Sequence, residues 1–243
     1  MEAKKGRREM KKFELTTEFI TNAFGKKLFR IKALVEFGDV KAGELGGYVE
    51  KEGNVSQADN AWVSGDARVY GDAWVYGDAR VYGDARVSGN ARVYGNARVR
   101  GDARVSGDAR VSGNAWVSGN AEVYGDAWVR GDAWVRGDAR VSGDARVSGN
   151  AWVSGNARVY GDARVYGDAD YALVQGFGTE FRCTTFYRGK NKKIMVNCGC
   201  FHGDLEGFRK QVKETRNGKI AKEYLMIADL MEYHFTSEDS SNE

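Results

Sequence analysis

From Ala61 the chain reads Ala-Trp-Val-Ser-Gly-Asp-Ala-Arg-Val-Tyr-Gly-Asp72, and the same six-residue phrase continues to Asp168 without an insertion or deletion. Eighteen valines occupy every sixth position from Val63 to Val165, and eighteen alanines stand two residues before them, Ala61 to Ala163. In an extended segment alternate side chains share a face, so Ala61 and Val63 point one way and Trp62 and Ser64 the other. Gly65-Asp66 then supplies a corner, since Gly, Asp and Asn tolerate turn and left-handed backbone that other residues resist. Each hexad is thus one short side of a polygon whose narrow interior is filled by Ala and Val. Such a unit buries its apolar face only against its neighbours, which makes the array a solenoid.

The array resembles the hexapeptide-repeat proteins over all eighteen hexads, with no exception at Gly, Ala or Val. That resemblance implies a left-handed parallel β-helix with three hexads per triangular coil; generic crossover rules would give the opposite hand. Eighteen hexads then make about six triangular coils, and a prism about 29 Å long at a strand spacing of about 4.8 Å. The segment from Arg30 to Val49 is also similar to the lead-in of bacterial and phage hexapeptide proteins often labelled as transferases.

Outward from the array, five parts are expected. Residues 1–12, with Lys4, Lys5, Arg7, Arg8, Lys11 and Lys12, read as a disordered basic arm. Residues 13–60 read as an N-terminal β cap and lead-in, with Lys27–Phe37 rich in β formers. The β-helix spans 61–172. Residues 173–235 form an α+β unit, predicted as ββαα: strands over 184–188 and 193–197, a helix from Asp204 to about Arg216, and a second from Ile220 to Phe235. The first helix carries Leu205, Phe208 and Val212 on one side, the second Tyr224, Ile227, Ala228, Met231 and Phe235. Residues 236–243 read as a disordered tail. The fold class is mainly β, a prism with an N-terminal β cap and a small C-terminal ββαα domain covering the open strand edges at its ends.

The 243 residues are 42% hydrophobic and 29% charged, which places the chain among soluble proteins. No apolar run approaches the ~18 residues of a membrane span, and no signal-like segment opens the chain. Three cysteines are too few for a disulfide framework, so a cytoplasmic location is expected. Charges nearly balance along the chain: 12 basic against 10 acidic residues over 1–60, 14 against 13 over 61–168, and 11 against 11 over 169–243. A phosphate-tracking protein needs a larger local excess, so nucleic acid or a nucleotide ranks below a protein partner.

Acyl transfer is the activity that the resemblance implies, carried out by a histidine on a coil with a loop projecting over the acyl donor. Here the repeat holds no histidine and no loop interrupts it; His202 and His234 both lie beyond it. The carbonic-anhydrase branch needs three histidines for its metal, and these are missing from the array too. Cys183, Cys198, Cys200 and His202 are the one set with zinc-binding chemistry, the last three alternating along an expected strand end. Their Cys-X-Cys-X-His spacing lacks the usual two-residue knuckle, and the thiols equally suit a small apolar core. No catalytic residue, metal or cofactor is therefore assigned, and an enzyme is disfavoured.

The chemical variety lies in the outward positions, which an 18-residue period sorts into three faces. Before the valines, face one reads Trp62, Arg80, Arg98, Trp116, Trp134, Trp152. Face two reads Arg68, Arg86, Arg104, Glu122, Arg140, Arg158, and face three Trp74, Arg92, Arg110, Trp128, Arg146, Arg164. All six tryptophans are predicted to point away from the core. Trp and Arg ladders stack on themselves and serve as surface upkeep. Exposed aromatic strips edged by arginine also have the composition of binding surfaces. The partner-binding residues expected are Trp116, Trp134, Trp152, Arg98, Arg100 and Arg136, with Trp128 and Arg130. The reading is a non-catalytic scaffold that uses Trp/Tyr/Arg ladders for self-association, as trimer or dimer, or for binding a protein. Two alternatives stand beside it: an acyltransferase-like enzyme with its site at an oligomer interface, and a phage-encoded binder of small anionic nucleotides. Ice binding is disfavoured because no threonine occurs between residues 22 and 178.

Overall fold

A computed structural model describes residues 11–179, 182–190 and 192–236. Each hexad forms a strand of two residues, from Trp62–Val63 (β4) to Arg164–Val165 (β21), two of them lengthened as Arg80–Gly83 (β7) and Arg98–Gly101 (β10). Neighbouring coils pair in parallel with an offset of 18, as in Arg98 with Trp116 and Trp116 with Trp134. Backbone bonds climb the prism at regular length, for example Arg98 N–H to Ala115 O and Arg110 N–H to Ala127 O, both 2.9 Å. The three sheets are the three predicted faces. Every repeat alanine and valine is buried, and all the repeat valines are at 0% exposure.

Corner geometry explains the invariant glycine. Gly113 has φ +67°, and a Cβ there would lie 2.9 Å from the Gly131 nitrogen one coil on. The position excludes any side chain twice over, by backbone conformation and by stacking. Beside the glycines, asparagine tempers the column of aspartates: Asn90 donates to Asp108 at 3.0 Å and Asn120 to Asp138 at 2.9 Å.

The prism has about seven turns, against the six predicted. Leu45–Val49 (β3) already pairs in parallel with the repeat, Tyr48 opposite Arg68 and Val49 opposite Val69, and Val55 bridges to Val75. Val49 and Val55 keep the six-residue spacing, but Gly47 and Gly53 replace the alanines, and two extra residues before Val63 break the period. Crowding accounts for Gly47, where a Cβ would meet Ala67 O at 2.6 Å. Face two continues beyond this strand into an antiparallel hairpin, Phe13–Thr21 (β1) and Lys27–Ala33 (β2), giving nine strands in all.

Two expectations for the N-terminal end are corrected. Trp62 is 2% exposed, not surface-facing, because Phe13 and Phe37 fold over it in edge contacts at 6.1 and 5.4 Å. The basic arm lies outside the described residues up to Met10, yet at its inner end Lys12 is buried. Its ammonium donates to Asp59 O at 2.7 Å and Ala61 O at 2.8 Å and faces the Phe37 ring. One lysine among six basic residues carries no sign in the sequence that it will plug a core. The tail beyond Thr236 is also outside the described residues.

The C-terminal unit has four strands instead of two: Tyr171–Phe177 (β22), Arg182–Arg188 (β23), Ile194–Cys198 (β24) and Phe201–Asp204 (β25), an antiparallel sheet followed by helices Leu205–Thr215 (α1) and Gly218–Thr236 (α2). The sheet has two covered faces, which hides the alternation that marks a half-exposed strand. Tyr171, Leu173, Tyr187 and Met195 pack on the end of the repeat core, while Ala172, Val174, Phe186 and Val196 pack on the helices. Both helices bury the predicted residues, and Asp204 caps α1 by accepting from Gly207 N–H at 2.9 Å. No helix of the described residues is long and apolar enough to cross a membrane.

Candidate binding surfaces on the prism

Face one brings most of the expected residues into one strip. Trp116 and Trp134 stack with centroids 5.0 Å apart and planes 2° from parallel, and Trp152 continues the column at 5.8 Å, tilted by 52°. The register makes this happen: three successive coils place Trp at the same position of the same sheet, one strand spacing apart. Arginines flank the column, one pair at its Trp116 end and one from the coil of Trp134. Arg98 and Arg100 lie 5.0 and 4.9 Å from the Trp116 ring, and Arg136 lies 4.1 Å from that of Trp152. These are cation–π distances, and each contact is worth about 0.5–1 kcal/mol at an exposed site. Trp134 and Trp152 nevertheless remain 37% and 41% exposed.

Trp128 and Arg130 are not part of this strip. Trp128 belongs to face three, where Arg110 and Arg146 sandwich its ring at 4.6 and 5.3 Å. Both flanks of that ring are covered by the chain's own guanidinium groups, whereas in the face-one column Trp134 lies between two other tryptophans. Arg130 is exposed on the same face as Trp128. Nearer the N-terminal end, face three carries a second column, Trp74 on Tyr76 at 4.1 Å and Tyr76 on Tyr94 at 4.9 Å. Burial within this column raises the pKa of Tyr76 above that of an ordinary phenol, with the neighbouring Tyr94 adding to the shift.

Face two accounts for its single departure. Glu122 sits between Arg104 and Arg140, at 3.6 and 3.3 Å, so the one acidic side chain breaks a column of like charge.

The potential zinc set is divided by the fold. Cys198 and Phe201 are opposite each other across a tight hairpin, as are Asn197 and His202, which puts Cys198 and His202 on opposite faces of the sheet. Cys200 is exposed in the hairpin turn, and burial pushes the Cys183 thiol pKa upward. Among the described residues no group of three His, Cys, Asp or Glu side chains converges. What His202 and its neighbours do is close the prism. Asn197 Oδ1 accepts from His202 Nδ1–H at 2.8 Å, and its Nδ2 donates at 2.8 Å to Arg158 O. Thr185 Oγ1 accepts from Arg158 N–H at 3.0 Å, and the Tyr187 hydroxyl donates to Tyr160 O at 3.2 Å.

The sequence reading missed a cleft at the junction of face three with the C-terminal unit, lined by Arg146 and Arg164 from the prism, by Arg188 at the end of β23, and by Lys190 and Lys192 from the β23–β24 turn. The basic run Arg188-Gly-Lys-Asn-Lys-Lys193 was its only signal in the sequence, and balanced charge over 169–243 masked it.

By its coils, register and core this chain is a parallel β-solenoid repeat protein, three-faced and capped at both ends. The repeat is similar to a known one: the model of the YdcK β-solenoid repeat matches at residues 61–77, 73–89, 79–93, 85–101, 91–107, 103–119, 139–155 and 157–169. No match is found among curated proteins.

Proposed function

We propose that the chain is a non-catalytic scaffold whose face-one strip, Trp116, Trp134 and Trp152 with Arg98, Arg100 and Arg136, is an association surface for a second copy of the chain or for another protein. The observation that carries this reading is the continuous indole column left open along its flank. The Ala/Val core needs nothing from these side chains, because it is complete at every coil whether the outward residue is Trp, Arg or Glu. Aromatic residues edged by arginine are the composition of interface centres, where large rings supply contact area at low cost in side-chain freedom. The prism supplies rigidity: a surface built on strands needs no ordering when it meets a partner. Three free thiols suit a reducing compartment such as the cytoplasm.

Self-association is the form tested first. Light scattering over a hundredfold concentration range should show a mass above that of the 26.8 kDa monomer. Replacing Trp134 and Trp152 together by Ser should return the chain to monomer with the fold intact. A wild-type monomer at all concentrations would move the proposal to a different protein, and a dimer unchanged in the double variant would remove face one from it.

A further inference from the structure

The cleft between face three and the C-terminal unit has a volume of about 980 Å³ and is lined by five cationic side chains against one carboxylate, Asp170. That carboxylate is already committed. One oxygen holds Arg188 Nε at 3.1 Å, and the other accepts from the Tyr166 and Gly167 N–H groups at 2.9 and 3.2 Å. Arg188 is further fixed by its bond to Phe235 O at 2.8 Å and by the Phe235 ring at 5.6 Å. This pair forms a rigid floor with no net charge.

Four cations remain, and none has an ion-pair partner among the described residues. Arg146 and Arg164 pair in register on adjacent strands, about 4.8 Å apart. Arg164 is oriented by bonds from Nη1 to Asp144 O at 2.9 Å and Ala163 O at 3.0 Å, which leave its other guanidinium N–H groups open. Across the cleft Lys190 and Lys192 stand on the β23–β24 turn. Lys192 has φ +60°, the one non-glycine residue with positive φ among the described residues. Strain of this kind persists where the surroundings hold a side chain in a required place. Arg146 also lies 5.3 Å from the Trp128 ring, a contact that positions its guanidinium without neutralising the charge.

We infer that this cleft binds a small ligand carrying two or more phosphate groups, with a nucleoside triphosphate as the size and charge it fits. Guanidinium groups on one wall and ammonium groups on the other suit oxygens spread over a phosphate chain. The cleft is at the upper end of the range for small-molecule sites, about 300–1,000 Å³. Tyr166, half exposed at the rim, presents a ring on which a base can stack. The site is separate from the face-one strip, and its test does not depend on association.

Titration calorimetry of the full chain with ATP, tripolyphosphate and adenosine tests the inference. ATP and tripolyphosphate should each bind once per chain, and adenosine should give no saturable heat. The variant K190E/K192E changes only exposed turn residues, so its circular dichroism should match the wild type while ATP binding weakens at least about tenfold, the loss of one charge-assisted bond or more. Tyr166→Ala should weaken ATP and leave tripolyphosphate unchanged. No saturable binding of either phosphate probe would overturn the inference, as would binding unaffected in K190E/K192E. Tighter binding of a 20-nucleotide single strand than of ATP would overturn it in favour of a nucleic acid surface.

Discussion

At the N-terminal end the prism is continued by backbone: β3 adds to face two in register, β2 and β1 extend it, and Trp62 is sealed beneath Phe13 and Phe37. At the C-terminal end β20 (Arg158–Val159) is the last strand of face two among the described residues, and the side chains of Thr185 and Asn197 satisfy the Arg158 backbone instead. Both arrangements prevent edge-to-edge aggregation. They differ in what they demand of the sequence. Extension by pairing must keep the spacing of the coils, so Val49 and Val55 still echo the hexad. A side-chain plug needs only a few polar atoms at the right height, and its sheet is free to carry any pattern that serves its own two faces. It is this freedom that places the cationic cleft at the C-terminal end.

The largest effect should come from disturbing the coils that both caps protect. Gly113→Ala meets both a positive φ and the Gly131 backbone, whereas Gly155→Ala, with φ +63° and nothing within 4 Å of its Cβ, meets only the first. Urea denaturation should show a loss above about 2 kcal/mol for the former and about 1 kcal/mol for the latter. Equal losses would mean that coil stacking does not set the corner residue.

Next in size is the plug itself. Asn197→Leu leaves Arg158 O without its donor and should cost about 1–3 kcal/mol. Hydrogen exchange should then rise in the last coil and the four-stranded sheet while the N-terminal hairpin stays protected. Loss of protection along the whole prism would show that the two ends are not independent.

The two ends should also separate by pH. Desolvation lowers the Lys12 pKa from 10.5 to about 8, against the raising effect of Asp59. Between those values the unfolded chain holds a proton that the folded chain has lost, so this contribution to stability rises with pH. Burial raises the Tyr187 pKa from 10.0 to about 12. Above pH 10 the unfolded chain ionises first, and stability falls. Lys12→Met should flatten the rise and Tyr187→Phe should soften the fall in melting curves taken from pH 7 to 11.

The repeat was legible because its physical constraints recur eighteen times: glycine where φ is positive and coils touch, alanine and valine where the interior is narrow. The 18-residue register came from the resemblance to hexapeptide-repeat proteins, three hexads to a coil, and with it the column of Trp116, Trp134 and Trp152. Contacts made once were not legible. Nothing in the sequence marks Lys12 as a plug or Trp62 as buried, since the residues that cover them come from a different part of the chain. Strands β22 and β25 went unseen because covering on both faces removes the polar alternation. The cleft was hidden for a further reason: half of it lies on a regular prism face and half on a turn.

The smallest expected change in stability belongs to the variant that matters most for function. Trp134→Ser with Trp152→Ser removes two stacked rings from the surface and nothing from the core, so its melting temperature should stay close to the wild type while concentration-dependent association, read by light scattering, disappears. A substantial drop in melting temperature with association retained would contradict the account, because the tryptophan column would then be part of what holds the prism together and not a surface it presents.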